Sequence, residues 1–450
     1  MAAPACCAQG RAYRSRQGVS AVLGRFTLRD TDDHPVRKAA RLGLHTMTDE
    51  PGPPRGALAL LRDPMFGGFL GGKVVSTCGM WVQNIAAAVL MYDLTGSNLM
   101  VGAVSTAQFV PMLLFSLWAG ALTDRIDRRR LLIAGRVMSG VTVVMLATLL
   151  LVRGTKGFGG EAVLLVAVFL AGTGWALSMP PMQAMVPALV PARDLEQALA
   201  LNAVAPSLGR TIGPALGAGL LVLGGPALAF AVAGPAHLAF AVILLAIKPR
   251  AAARPSARVR ILGGFRYLRA DRKAAMLMLG GAAVSFGADP VLTLTPALAA
   301  GLGGGDETVG LFATAFGVGA VIAVVALRPL RKVVTLRPLG VYGFWVLAAG
   351  LVVVALSPAV GSATAGFVVA GTGFILATVV LTTRIQRRVP DELRGRVMAL
   401  WGLAFLGTRP AAALLDGLIA DAVNVQAAVL TAAVITLISS LLARVSYVER

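Results

Sequence analysis

The sequence predicts an all-α membrane protein: twelve transmembrane helices in two pseudo-symmetric six-helix bundles. Three observations carry this. Of 450 residues, 57% are hydrophobic and only 14% charged, with a mean hydropathy of +0.77, far more apolar than a soluble chain. The apolar residues fall into runs long enough to cross a bilayer, which takes about 20 residues. Two stretches of the first half recur in the second, about 200 residues later.

Residues 1–64 are polar, charged and proline-rich around Pro51 to Gly56, with no spanning run. They read as a disordered cytoplasmic tail, in which Met47 opens a stretch that looks like a second start. Breaking the remainder at charged or Gly/Pro-rich joints gives runs at 67–92, 98–121, 131–152, 161–185, 198–223, 226–247, 275–300, 308–328, 338–357, 362–383, 397–420 and 424–445. The first six form an N-terminal bundle, 65–247, and the last six a C-terminal bundle, 275–450. A basic cytoplasmic linker, 248–274, divides them. The weakest joint is Gly224–Gly225.

Alternate joints differ sharply in charge. One set holds twenty-three lysines and arginines, nine of them in the central linker and four between Arg125 and Arg130; the other holds only Arg153 and Lys156. Positive charge stays in the cytoplasm, so both termini are expected inside. The net charge of +20 therefore belongs to membrane topology, and no nucleic-acid partner is expected, because the aromatic and basic patches of RNA binders are missing. Three cysteines and three histidines, scattered along the chain, predict no metal site, no disulfide framework and no cofactor.

The internal repeat pairs Leu99–Arg125 with Glu307–Lys332, each an apolar run closed by basic residues, and Val190–Leu201 with Val389–Leu400. Such repeats are the architecture of secondary transporters, with the substrate site between the halves near mid-membrane. A membrane enzyme would need acid pairs, or a histidine and an acid, on a sizeable aqueous loop. No loop on the weakly charged side exceeds roughly ten residues on these spans. No Walker-type GxxxxGK[ST] is present either, so drive by ATP within this chain is not expected.

The joint after the second span reads GALTDRIDRRRLL, Gly120 to Leu132. Its pattern, carried by Gly120, Asp124, Arg125, Arg128 and Arg129, resembles the loop 2–3 signature of the major facilitator superfamily. Asp127 stands where that family usually has a second glycine, as in its drug and siderophore exporter branch. The resemblance implies a conformational latch between the bundles, against the plainer reading of a topogenic loop. In the fifth span SLGRTIGPALGAG, Ser207 to Gly219, with Gly209, Gly213, Pro214 and Gly217, resembles the exporter motif of the same superfamily. Small residues at this spacing allow close helix packing. With Gln386–Val397 and the repeat, the likeness covers nearly the whole chain from residue 60 onward. It implies a drug:proton antiporter that works as a monomer in the cell membrane, with a small molecule, protons and the bilayer as its partners.

Charges inside spans are functional candidates by default. Asp289, just before Pro290 in the seventh span, is the first candidate for proton coupling, through an unwound turn facing a central cavity. A structural pair with an arginine is the competing reading. Asp416 is the second candidate, expected near a solvated end, and Asp93 and Glu161 are expected to be solvated. Arg210 and Arg409, at nearly equivalent repeat positions, read equally as substrate contacts or as internal salt bridges. Lys73 and Arg136 are expected to snorkel to the interface. Trp81, Gln83, Asn84, Gln108, Trp175 and Gln183 suit a cavity lining, or ordinary interhelical hydrogen bonds and interfacial aromatics. Two residues usual in drug/proton antiporters are missing: an acid in the first span, where CGMWVQN (Cys78–Asn84) stands, and an arginine in the middle of the fourth, Phe169–Gln183. The expected activity is export of a small amphipathic molecule by alternating access, with a dedicated siderophore or solute carrier as the alternative.

Overall fold

The computed structural model describes residues 53, 55–157, 159–249 and 261–445; the tail and most of the linker lie outside them. A short helix α1 (Ala57–Leu61) precedes five helices, α2 (Phe66–Thr95), α3 (Asn98–Arg125), α4 (Arg128–Gly157), α5 (Gly160–Leu189) and α6 (Leu195–Ala246). Beyond the linker follow α7 (Ile261–Ala270), α8 (Arg272–Gly287), α9 (Pro290–Thr293), α10 (Thr295–Gly301), α11 (Asp306–Val333), α12 (Leu336–Leu356), α13 (Val360–Arg388), α14 (Asp391–Gly407), α15 (Arg409–Ala422) and α16 (Val425–Val445).

Ten stretches among the described residues are long and apolar enough to cross a membrane, and α16 supplies a shorter one. The twelfth comes from α6. At 52 residues it spans a bilayer twice over, and its backbone is non-helical at Gly224 and Gly225, where Gly225 has φ 66°. That conformation favours glycine, and it falls at the weakest joint of the sequence. The chain is thus an all-α, multi-pass membrane protein. Leu151, Val152, Leu223 and Val325 stay exposed on its outer faces, where lipid takes the place of water.

Two spans are broken rather than continuous. The seventh divides at Ala288–Asp289 into α8, α9 and α10, because Pro290 cannot donate its missing N–H. The eleventh divides at Thr408 into α14 and α15, again ahead of a proline, Pro410. The two broken spans touch: Thr408 Oγ1 donates to the Ala282 carbonyl of α8 at 3.3 Å, and α9 packs on α15.

Helices α2 to α6 pack among themselves, as do α8 and α11 to α16, and the two groups meet along α3 with α15 and α6 with α11. At the end of the bundle away from the basic joints this seam is tight. A Cβ at Gly102 would collide with the Ala413 carbonyl, one at Gly417 with the backbone of Asn98, and one at Gly310 with Ala218. Asp421 closes the same end, accepting hydrogen bonds from Ser97 Oγ at 2.6 Å, from the Asn98 amide and side chain at 2.9 Å, and from the Leu99 amide at 3.0 Å.

The basic end carries a matched pair of clasps. Arg55, ahead of α2, reaches Asp194 in the turn between α5 and α6, with Nε 2.6 Å from Oδ2 and its amide 2.8 Å from Oδ1. Asp271, ahead of α8, accepts from Arg388 Nε at 2.7 Å and from the Tyr267 hydroxyl at 3.0 Å. The places are equivalent in the repeat and the signs are exchanged. Burial pushes both carboxyls up, but the hydrogen bonds and charges of Arg55 and Arg388 outweigh it, so both lie below the usual carboxylate value. A depressed carboxylate stabilises the fold above its unfolded pKa, roughly 3.9, and that contribution disappears as pH falls through the lower folded value. The melting temperature is therefore expected to hold from pH 7 to 5 and drop below about pH 4. The drop should be smaller in an Arg55→Ala, Arg388→Ala double variant, read by thermal unfolding in detergent.

Candidate functional site

Three of the charged candidates, Asp289, Arg409 and Asp416, gather where the two broken helices meet the N-terminal group. Asp289, at the α8–α9 break, is fully buried; its Oδ2 accepts from Thr293 Oγ1 at 2.7 Å and its Oδ1 has no hydrogen-bond partner. The helix breaks here as Pro290 implies, and the carboxyl is enclosed by protein. Arg409 opens α15 at the opposing break and is 4% exposed. Its guanidinium acts electrostatically on Asp289, and its Nε and Nη1 are without hydrogen-bond partners. The same guanidinium lies 5.3 Å from the ring centroid of Trp81 on α2 and 5.2 Å from that of Phe109 on α3, within cation–π range. One charged group thus touches both halves. Asp416, two turns along α15, is 1% exposed and within electrostatic reach of Asp289. The structure corrects the solvated position expected for it, because α15 turns this face toward the seam. Asp93 and Glu161 are exposed, as expected.

The fifth-span motif positions Trp81. A Cβ at Gly209 would strike Thr77, one at Gly213 would strike Trp81 Cβ, and Gly217 backs onto Val82, so these glycines seat α6 directly on α2. Pro214 lines, with Trp81, Leu292, Phe316, Phe374 and Arg409, a cavity of about 30 Å³ at the seam, room for no more than a water or two. Gly213→Val should therefore lower stability by about 1–3 kcal/mol through overpacking and tilt Trp81 away from Arg409. Thermal unfolding together with the tryptophan emission maximum checks both.

The remaining cavity candidates divide. Gln83 Nε2 donates to Gln108 Oε1 at 3.0 Å, an interhelical bond between α2 and α3, and both residues are buried. Asn84 is half-buried with its Nδ2 unpaired. Trp175 is buried in one apolar cluster with Met80 and Trp81, against which Leu292 packs from across the seam. Gln183 is exposed and accepts from Asn202 Nδ2 at 3.0 Å.

In the loop signature, Arg129 Nε donates to the Leu244 carbonyl at 2.7 Å and Arg128 Nη1 to that of Ala184 at 3.5 Å. Both thus hold ends of α6 and α5 in their own half. Asp127 caps α4 through the Arg130 amide at 2.8 Å. The surroundings of Gly120 and the side chains of Asp124, Arg125 and Arg210 lie outside what the structure describes.

Lys73 and Arg136 do not snorkel: they are 1% and 0% exposed. Their depth, about two turns inside α2 and α4, was readable in the sequence, but the direction of each side chain was not. Asp421 and the Arg55–Asp194 clasp carried no local signal at all, since each partner lies more than 100 residues away.

Twelve apolar spans in two groups, meeting at a seam that buries charges on broken helices, define a transporter of the major facilitator type. More particularly, the chain belongs to the transmembrane secretion effector family, whose profile matches residues 55–449. The enterobactin exporter EntS of Salmonella choleraesuis (strain SC-B67) is 27% identical over 375 residues, covering 80% of this chain and 87% of the relative. The EntS of Escherichia coli O127:H6 is 26% identical over 386 residues with the same coverage. Among solved structures, a bacterial homolog of the human lysosomal transporter Spinster aligns over 85% of this chain and 96% of its own, with a TM-score of 0.66 and 14% identity. A D-xylose–proton symporter aligns over 86% and 96%, with a TM-score of 0.66 and 16% identity; at these identities the likeness shows the fold alone. The chain moves a small molecule across a membrane and is not a membrane enzyme.

Proposed function

We propose that this transporter exports a small amphipathic molecule across the cytoplasmic membrane in exchange for protons. Its moving parts are the halves 65–247 and 275–450, and both termini face the cytoplasm. The observation that carries the reading is the buried set Asp289, Arg409 and Asp416, with Arg409 stacked on Trp81 and Phe109 of the other half. A proton taken up by Asp289 removes the charge that balances Arg409, and the guanidinium then has reason to leave or tighten its aromatic contacts. Protonation is thereby tied to the seam that must open and close, which is what coupling requires: a group whose interactions differ between the two states. Asp416 offers the second carboxyl of a relay along α15. Arg210 remains a candidate substrate contact, and the loop signature a latch that acts when the basic end closes. The apolar, aromatic lining around Trp81, Phe316 and Phe374 suits a lipophilic body better than a sugar.

The names of the relatives favour a second, narrower reading, a dedicated carrier for a secreted iron chelator. Accumulation of a panel of amphipathic dyes in cells expressing the chain, with and without a protonophore, tests the broader one. Lower accumulation that the protonophore reverses is expected. Equal accumulation with and without the chain, once its presence in the membrane is verified, removes multidrug efflux and leaves the dedicated carrier.

A further inference from the structure

The N-terminal half buries positive charge for which no acidic partner is found among the described residues. Arg136 on α4 is 0% exposed and Lys73 on α2 is 1% exposed. Arg136 Nη1 donates to Ser76 Oγ at 3.1 Å, and the same hydroxyl meets His237 Nδ1 at 2.8 Å. Arg136 lies 4.4 Å from the Trp175 ring centroid and 5.9 Å from that of Phe240, while its Nε and Nη2 have no hydrogen-bond partner. Lys73 Nζ donates to Asn202 Oδ1 at 2.6 Å and to the Asn202 carbonyl at 3.2 Å. Among the described residues no aspartate or glutamate pairs with either cation, and each lies within electrostatic reach of the other.

A buried ion without a counter-charge is strongly unfavourable, and free guanidinium donors in a low-dielectric site add to the cost. Unpartnered donors on a buried guanidinium are the chemistry that receives an anion. Two features connect the arrangement to the transport path. Trp175, under the guanidinium, belongs to one apolar cluster with Met80 and Trp81, against which Leu292 of the other half packs. Lys73 is linked through Asn202 to the exposed Gln183. An apolar or aromatic body held against Trp81 and Trp175 would therefore set an attached oxyanion beside the free Nε and Nη2 edge of Arg136, the fork that suits a carboxylate.

We infer that Arg136 and Lys73 form the anion-binding end of the substrate site, and that the transported molecule is an organic anion with an apolar or aromatic body. The inference rests on the transport reading above and narrows its substrate class. In this arrangement the N-terminal half recognises the anion while the C-terminal half handles the proton.

The test uses the full chain in lipid nanodiscs and three probes of one shape: anthracene-9-carboxylate, anthracene-9-carboxamide and 9-anthracenylmethylammonium. Binding is read as energy transfer from the tryptophans. The carboxylate is expected to bind about tenfold more tightly than the amide, the order of one charge-assisted hydrogen bond, and the ammonium most weakly. Arg136→Gln should reduce the preference to less than about twofold, Lys73→Gln should reduce it in part, and Glu161→Gln, at an exposed position, should leave it intact. If the wild type binds all three alike, or if a folded Arg136→Gln keeps the preference, the inference is overturned and Arg136 is a structural post between Trp175 and Phe240. Should Arg136→Gln fail to fold, Lys73→Gln and the wild-type preference decide the matter. Proton-linked export without anion preference removes this site alone, whereas anion preference without export removes the transport reading alone.

Discussion

Asp289→Asn is expected to lower protonophore-sensitive export to the level of cells lacking the chain while leaving the protein folded in the membrane. Asparagine keeps the volume of aspartate and an oxygen to accept from Thr293 Oγ1, now at 2.7 Å, so the α8–α9 break should persist. What disappears is the capacity to alternate between a charged and a neutral state opposite Arg409. With a permanently neutral neighbour, Arg409 keeps only its aromatic contacts at 5.2 and 5.3 Å, and the seam loses the signal that ties it to the proton. Asp416→Asn should cause a smaller, partial loss, because Asp416 acts on Asp289 rather than on Arg409. Proton uptake in proteoliposomes, measured with a pH-sensitive dye on addition of substrate, checks both variants. Full uptake by Asp289→Asn would move coupling elsewhere in the chain.

Asp421→Ala should open the end of the bundle away from the basic joints. One carboxylate there accepts four hydrogen bonds from Ser97, Asn98 and Leu99 across the seam. Bonds to a charged group are worth about 1.5–3 kcal/mol each when buried, and this site is partly exposed, so a total loss of about 2–3 kcal/mol is a reasonable scale. That shifts the equilibrium between closed and open forms by roughly 30- to 150-fold. A cysteine at Thr106, whose hydroxyl now reaches the Pro410 carbonyl at 3.2 Å, should react with an impermeant maleimide much faster in the variant. Unchanged labelling would mean that the glycine contacts at Gly102 and Gly417 hold this end by themselves.

The parts of the molecule that could be read in advance are those governed by short-range regularities. Each span had to be a run of about 20 apolar residues because unsatisfied backbone groups are not tolerated in lipid. Even the weak joint at Gly224–Gly225 therefore proved to be a real break within one long helix. The break at Asp289 followed from Pro290 in the same way. Tertiary structure alone decided which way each polar side chain points, since rotation about a helix axis depends on neighbours on other helices, far along the chain. Lys73 and Arg136 could have reached the interface; the packing of α2, α4, α5 and α6 turns them inward onto Asn202, Ser76 and Trp175. Asp416, expected in solvent, is buried because α15 lies against α3. From sequence Arg409 was a charge in a span, whereas in the fold it is the group that bridges the halves. The sequence by itself determined the class, the spans and the list of charges in the membrane, and the fold decided which of those charges share a site.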